Sequence, residues 1–323
     1  MIRGLVLGKF LPPHKGHLHL IKEARRQCDQ LTVVVGTLKR EPIAGELRFN
    51  WMQELCRDCR VVHLVDENPQ YPEEHPNFWS IWKNSLIRMH PEPVDLLFSS
   101  ESYGDRLARE IGATHICIDP DRRAVPVSGT EIRRRPLSNY RYIPEIVRPY
   151  FNKKIVITGA ESTGKTTTAR HLANRLNTVW AHEFAREYLD SMGRYVEVQD
   201  IPEIARGQMA LEDRMRQLAN RAYICDTDLM ATIIYSQHYF GNCPEFIPLE
   251  LRKRVGDFYI FMDVDIPWVN DPQRDAPHLR HEFRNRFLNI LEEYNASYAI
   301  VRGSFQARLQ NAYEIVSTYL EQI

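Results

Sequence analysis

Short, unbroken apolar runs alternate with longer amphipathic stretches along the whole of this 323-residue chain. In the first half the runs fall at 4–10, 31–36, 61–65, 94–98 and 115–118, and in the second at 154–158, 222–226, 258–262 and 298–301. Runs this short and this continuous predict parallel strands covered on both faces by the intervening helices. The pattern also restarts. Strand Gly4–Phe10 leads through Pro12-Pro13-His14-Lys15-Gly16 into a helix from about His17 to Gln27, and strand Lys154–Thr158 leads through Gly159–Lys165 into a helix from about Thr166 to Leu176. Between them, 136–150 is proline-punctuated and polar, which suits a linker with one short helix. The fold class predicted is α/β, with two doubly wound parallel-sheet domains, 1–150 and 151–323. Ligands are expected at the carboxyl ends of the strands.

Composition removes other classes. With 42 basic and 42 acidic residues the formal charge is zero, which disfavours a nucleic-acid partner, since such affinity rests on clustered Lys and Arg. No apolar run approaches the roughly 20 residues that span a bilayer. The N-terminus reads as a strand and not as a secretion signal, so a cytoplasmic enzyme is expected. Six scattered cysteines fit reduced thiols used as core residues. Cys56 and Cys59 form a CxxC with no second pair to complete a zinc site; a helix there would put both on one buried stripe.

The two loops carry the chemistry. Gly159-Ala160-Glu161-Ser162-Thr163-Gly164-Lys165-Thr166 matches GxxxxGK[ST] between a strand and a helix. Its glycines let successive N–H groups turn toward phosphate oxygens. Lys165 would reach the β- and γ-phosphates, Thr166 and Thr167 would follow at the helix start, and Thr166 with Asp226 would hold Mg2+. Glu183, after Ala181-His182, is the candidate to hold or deprotonate a substrate hydroxyl, with Asp226 left open for that role and Asp228 as a substrate contact. Pro267–Pro277, with Arg274 inside it and Arg280 and Arg284 after it, has the composition of a loop that closes over a transferring phosphoryl group. Together these describe a P-loop kinase for a small acceptor.

In the first loop, His14-Lys15-Gly16-His17 opens a helix directly after a strand, and both imidazoles can face one phosphate. Attack on the α-phosphate of ATP needs positioning and charge neutralisation, which imidazole N–H groups and a helix N-terminus supply. Near the end of the same half, Ser128 and Glu131 have capping-box spacing. The Ser128-Gly129-Thr130 N–H groups, the Thr130 hydroxyl and Arg133 could grip the departing pyrophosphate.

Gly8-Lys9-Phe10, His14-Lys15-Gly16-His17 and Ser128-Gly129-Thr130-Glu131-Ile132-Arg133 resemble the HxGH and ISxTxxR signatures of the nucleotidyltransferase superfamily. Followed by a P-loop domain, the whole chain resembles the NadR-type family of bifunctional nicotinamide-nucleotide adenylyltransferase and ribosylnicotinamide kinase. Supporting matches are Pro76–Trp82, Ser99–Gly104, Asp119–Arg122 and Asp226-Thr227-Asp228. The resemblance implies a Rossmann-like domain that joins nicotinamide mononucleotide to ATP, giving NAD and pyrophosphate. It also implies a kinase domain that makes the mononucleotide from nicotinamide riboside, with Mg2+ and ATP. A flat, cationic pyridinium ring favours aromatic faces, which makes Trp79 and Trp82 candidates in the first domain, and Trp268 with Tyr188 in the second. Lys9, Arg48 and Arg122 are further phosphate candidates. Partners would be small molecules, with neither nucleic acid nor membrane, and self-association into a homo-oligomer is allowed. The family often carries an N-terminal helix-turn-helix repressor segment; here the first strand starts at Ile2, so DNA-binding regulation is not expected. Two other readings stay open: a sulfurylase–adenylylsulfate kinase, and a regulator that binds nucleotides without turning them over.

Overall fold

The computed structural model describes residues 1–269 and 277–323, which divide into two compact units, Met1–Arg148 and Pro149–Ile323. The first unit runs β1 (Arg3–Gly8), α1 (Lys15–Arg25), β2 (Gln30–Gly36), α2 (Gly45–Leu55), β3 (Arg60–Leu64), α3 (Phe78–Met89), β4 (Leu96–Ser99), α4 (Tyr103–Ile111), β5 (Thr114–Cys117) and α5 (Gly129–Arg134). Its five strands are parallel in the order β3-β2-β1-β4-β5. The winding direction changes between β1 and β4, and such a switch point leaves a crevice at the carboxyl edge. Leu5, Val6, Val33, Val34, Val35 and Phe98 are buried to within 1%, as expected of strands covered on both faces.

The second unit runs β6 (Lys153–Thr158), α6 (Lys165–Arg175), β7 (Trp180–Ala181), α7 (Phe184–Met192), α8 (Ile201–Leu218), β8 (Ala222–Asp226), α9 (Leu229–Phe240), α10 (Phe246–Arg254), β9 (Phe258–Met262), α11 (Arg280–Glu293), β10 (Tyr298–Val301) and α12 (Phe305–Gln322). Its parallel order is β10-β9-β6-β8-β7, with β6 central. Apolar clusters lie on both faces of this sheet, one reaching α8–α11 and the other α6 and α12. Among the described residues, no helix is long and apolar enough to cross a membrane.

Three local expectations change. The first helix begins at Lys15, two residues early, because His14 itself serves as its cap. Helix α2 stops at Leu55, so Cys56 is its C-cap and Cys59 lies in the turn beyond; both still pack on the first core. Burial pushes the Cys56 thiol up to about 12. The stretch 136–150 forms 3-10 turns at Tyr140–Tyr142 and Arg148–Tyr150 in place of a longer helix. Leu137, Tyr140, Ile143 and Val147 are buried, so most of it belongs to the first unit's interior. Prolines 136, 144 and 149 are spaced too closely for an α-helix, but they leave side chains free to pack.

Candidate active sites

In the first unit the loop after β1 and the start of α5 meet. The His14 N–H donates to Nδ1 of His17 at 3.2 Å, and the His17 N–H donates to Nδ1 of His14 at 3.4 Å. The two rings stack with centroids 3.6 Å apart, and the Phe10 ring meets His17 edge-on at 4.9 Å. With each Nδ1 accepting, a neutral imidazole carries its proton on Nε2. Burial, helped by the Arg122 charge, brings His14 down to about 4. His17 falls well below its ordinary value through burial, then the His14 and Arg122 charges. Both rings are therefore neutral N–H donors at physiological pH.

The capping box at α5 forms as spacing predicted: the Ser128 N–H donates to Glu131 at 2.8 Å, and the Glu131 N–H donates to Ser128 Oγ at 3.2 Å. A Cβ on Gly129 would stand 2.6 Å from the Leu11 carbonyl, so only glycine lets α5 sit this close to the first loop. Arg133 donates to that same carbonyl and to Thr130 Oγ1 at 3.2 Å. Gly8 lies over the Phe10 ring, and Gly16 lies against His14. Lys9 pairs with Glu41 at 3.3 Å and Arg122 with Glu101 at 3.6 Å.

Some candidates land elsewhere. Arg48, expected as a phosphate contact, is fully buried and bonded to Lys9 O, Ile43 O and Glu41. The two tryptophans separate in role. Trp82 is anchored by Nε1 to Pro69 O at 2.9 Å and lies beside Gly36 at the carboxyl end of β2. Trp79 packs on Phe78 with Arg106 over its face.

In the second unit, Gly159 (φ 135°), Ser162 (φ 55°) and Gly164 (φ 86°) curl the loop between β6 and α6 through left-handed conformations. Lys165 Nζ donates to Ala160 O at 2.9 Å. Residues Glu161–Thr167, Glu183, Arg186 and Gln208 line a cavity of about 910 Å³. Asp226, at the end of β8, is hydrogen-bonded with Thr166. Burial and then the Glu183 charge raise its carboxyl to about 6, against Thr166, Lys165 and Arg186. Asp226 Oδ1 is buried with no hydrogen-bond partner. An orphaned carboxylate oxygen beside a Thr hydroxyl fits a hard divalent cation shared with a nucleotide. Among the described residues, no three His, Cys, Asp or Glu side chains form a metal cage of their own.

Asp228, expected to touch substrate, is on the cavity wall, with both carboxylate oxygens engaged by the protein. It caps α9 through the Met230 N–H at 3.0 Å and accepts from Tyr259 OH at 2.7 Å. Tyr188 donates to Asp200 at 3.1 Å and is absent from the cavity wall. Trp268 lies against Arg280, beside Val269, whose N–H donates to Ser162 Oγ at 2.7 Å. Arg284 is bound to Asp263 at 2.6 Å, and Arg274 lies outside the described residues. The aromatic wall is built by Tyr195, Tyr235, Tyr239 and Phe240, which motif reading missed. Tyr235 and Tyr239 stack at helical i, i+4 spacing, a signal that core packing equally explains.

Residues 5–135 match the cytidylyltransferase-like family, and residues 154–308 match the AAA domain family. The trifunctional NAD biosynthesis/regulator protein NadR of Escherichia coli (strain K12) is 29% identical over 97% of this chain and 82% of its own length. The nicotinamide-nucleotide adenylyltransferase of Pyrococcus abyssi is 30% identical over 47% of this chain and 84% of its own. The solved structure of a NadR protein in complex with NAD and AMP-PNP shares the fold, with a TM-score of 0.80 at 24% identity over 99% of this chain and 96% of that one. Through its first unit the chain belongs to the nicotinamide-nucleotide adenylyltransferase family, and over its length it is a homologue of the NadR proteins.

Proposed function

We propose that this chain is a bifunctional enzyme of NAD salvage, with adenylyl transfer in 1–150 and riboside phosphorylation in 151–323. The observation that carries the reading is the pair of loop–helix junctions, one at the carboxyl edge of each parallel sheet. Homology to proteins named for NAD biosynthesis supports the choice of substrate.

In the first unit, the phosphate of nicotinamide mononucleotide attacks the α-phosphate of ATP and pyrophosphate leaves. His14 and His17 act as neutral Nε2–H donors to phosphoryl oxygens and take no proton during the step. The α5 N-terminus, Thr130 and Arg133 stabilise the leaving pyrophosphate, with Lys9 and Arg122 adding charge. Trp82 is the better placed face for the pyridinium ring.

In the second unit the glycine loop and Lys165 hold the β- and γ-phosphates. Glu183 orients the riboside hydroxyl and receives its proton as the γ-phosphoryl group transfers, giving the mononucleotide and ADP. Thr166 and Asp226 would hold Mg2+, which when bound neutralises phosphate charge. The tyrosine wall, in place of Trp268 and Tyr188, offers the cationic ring its aromatic faces, worth about 1–2 kcal/mol when desolvated.

The test is direct. Incubation with ATP, Mg2+ and nicotinamide riboside should yield both the mononucleotide and NAD by chromatography. Failure of the folded protein to form either product would sink the reading.

A further inference from the structure

Among the described residues, the two bulkiest side chains fully withdrawn from solvent are arginines, Arg48 and Arg308. Neither belongs to the mechanism above, and a buried guanidinium is costly unless every donor is answered. Both are answered in the same way. Each is the fourth residue of its helix, Arg48 in α2 and Arg308 in α12. Each Nε donates to the carbonyl five residues earlier, Ile43 O at 3.1 Å and Gly303 O at 2.9 Å. Each Nη2 meets a carboxylate, Glu41 at 2.5 Å in one case and Asp265 in the other. Each Nη1 donates to a main-chain carbonyl of the neighbouring anion loop, Lys9 O at 2.6 Å and Thr163 O at 3.1 Å.

That last contact has a consequence for the loop. A trans peptide is planar, so its C=O and N–H point in opposite directions. Drawing the Thr163 carbonyl toward a buried arginine turns the Gly164 N–H the other way, toward the cavity that 161–167 line. Two further carbonyls of the loop are held too: Ser162 O by Arg280 at 3.3 Å, and Ala160 O by Thr163 Oγ1 at 2.8 Å and Lys165 at 2.9 Å. Arg308 also takes Asp263 O at 2.9 Å, which fixes the strand end against which Gly159 packs, since a Cβ on Gly159 would stand 2.6 Å from Met262 O.

We propose that Arg308 is a positioning residue that holds the second unit's phosphate loop from behind, with its amides aimed at ATP before ATP arrives. Arg48 does the same for the Lys9–Phe10 peptide of the first unit. The proposal rests on the reading of these loops as ATP sites, and it assigns Arg48 a role one layer behind the phosphates.

Arg308→Lys keeps the charge but cannot span the Gly303, Thr163 and Asp263 carbonyls together. In the full chain, KM for ATP in riboside phosphorylation should rise about tenfold or more, while KM for the riboside stays within about twofold. An unchanged KM for ATP in the folded variant overturns the proposal, and so does an equal rise in both constants, the mark of general loosening. If Arg308→Lys does not fold, Asp265→Asn neutralises the carboxylate partner of Arg308 while leaving an amide oxygen to accept from the Gly303 N–H. It should raise KM for ATP by about threefold with the same selectivity, and no rise is again fatal. Calorimetric ADP binding, restricted to the part that Lys165→Ala abolishes, separates this proposal from the functional one. A wild-type chain that binds ADP but leaves the riboside untouched defeats the proposed activity, and the ADP affinity of Arg308→Lys then decides the positioning role. In the mirror experiment, Arg48→Lys should raise the nucleotide KM of adenylyl transfer and leave both kinase KM values unchanged.

Discussion

His14 caps α1 and is given a second, chemical duty by the proposed adenylyl transfer; pH tests the first. Its folded pKa is about 4 against an ordinary 6.5, chiefly through burial, so the unfolded chain binds the proton more readily. Stability is then complete above about pH 6.5 and is lost as pH falls toward 4, by at most about 3 kcal/mol. Asn also caps helices well, so His14→Asn should keep α1 and flatten the acid side of the melting-temperature curve. An unchanged slope between pH 6.5 and 4 would assign the acid sensitivity to other groups. Asp226 has the opposite sign. Its carboxyl is raised to about 6 from 3.8 by burial and by Glu183, so the folded state holds the proton more tightly. The carboxyl's favourable contribution is present at low pH and fades as pH rises through 6, leaving a buried anion that costs up to about 3 kcal/mol at pH 7. Asp226→Asn should therefore raise the melting temperature of the ligand-free protein while abolishing kinase activity. A variant that melts lower, or that still phosphorylates riboside, contradicts this assignment.

At the scale of elements, the interior of the second unit is pinned by charge. Lys154 of β6 donates to Glu212 of α8 at 2.8 Å and to Arg254 O at 3.0 Å, and it lies 3.6 Å from Asp228. Glu212 accepts from Gln208 at 3.2 Å, and Gln208 in turn accepts from the Phe184 N–H at 3.0 Å, next to Glu183. Lys154→Met should destabilise the unit by about 3–5 kcal/mol, because Glu212 and Asp228 would lose their buried counter-charge. Chemical denaturation would show this, and a loss below about 1 kcal/mol would mean that the network contributes little. This network also explains which elements could be read in advance. Apart from the two-residue β7, the strands and both loop–helix junctions were legible because apolar runs, glycines and caps act within a few residues. The hydrogen bonds of Asp228 and Arg48 could not be read in advance because those partners lie far along the chain, at Tyr259 and at Lys9 and Glu41. Arg308 carried no local signal at all.

For the whole molecule, the separate sheets predict separable activities. His17→Ala should stop NAD formation and leave riboside phosphorylation, while Lys165→Ala should do the reverse when mononucleotide is supplied. Loss of both activities in one folded variant would mean that the two sites are not independent. By itself the sequence determined that there are two α/β units and where the glycine-bearing loop of each falls, since each follows from periodicity and short-range backbone geometry. Only the tertiary structure decided which polar side chains line a cavity and which hold the scaffold. A buried arginine and a phosphate-binding arginine have the same local sequence signature. What separates them is the carbonyls and carboxylates that chain folding brings around them, as it does around Arg48 and Arg308.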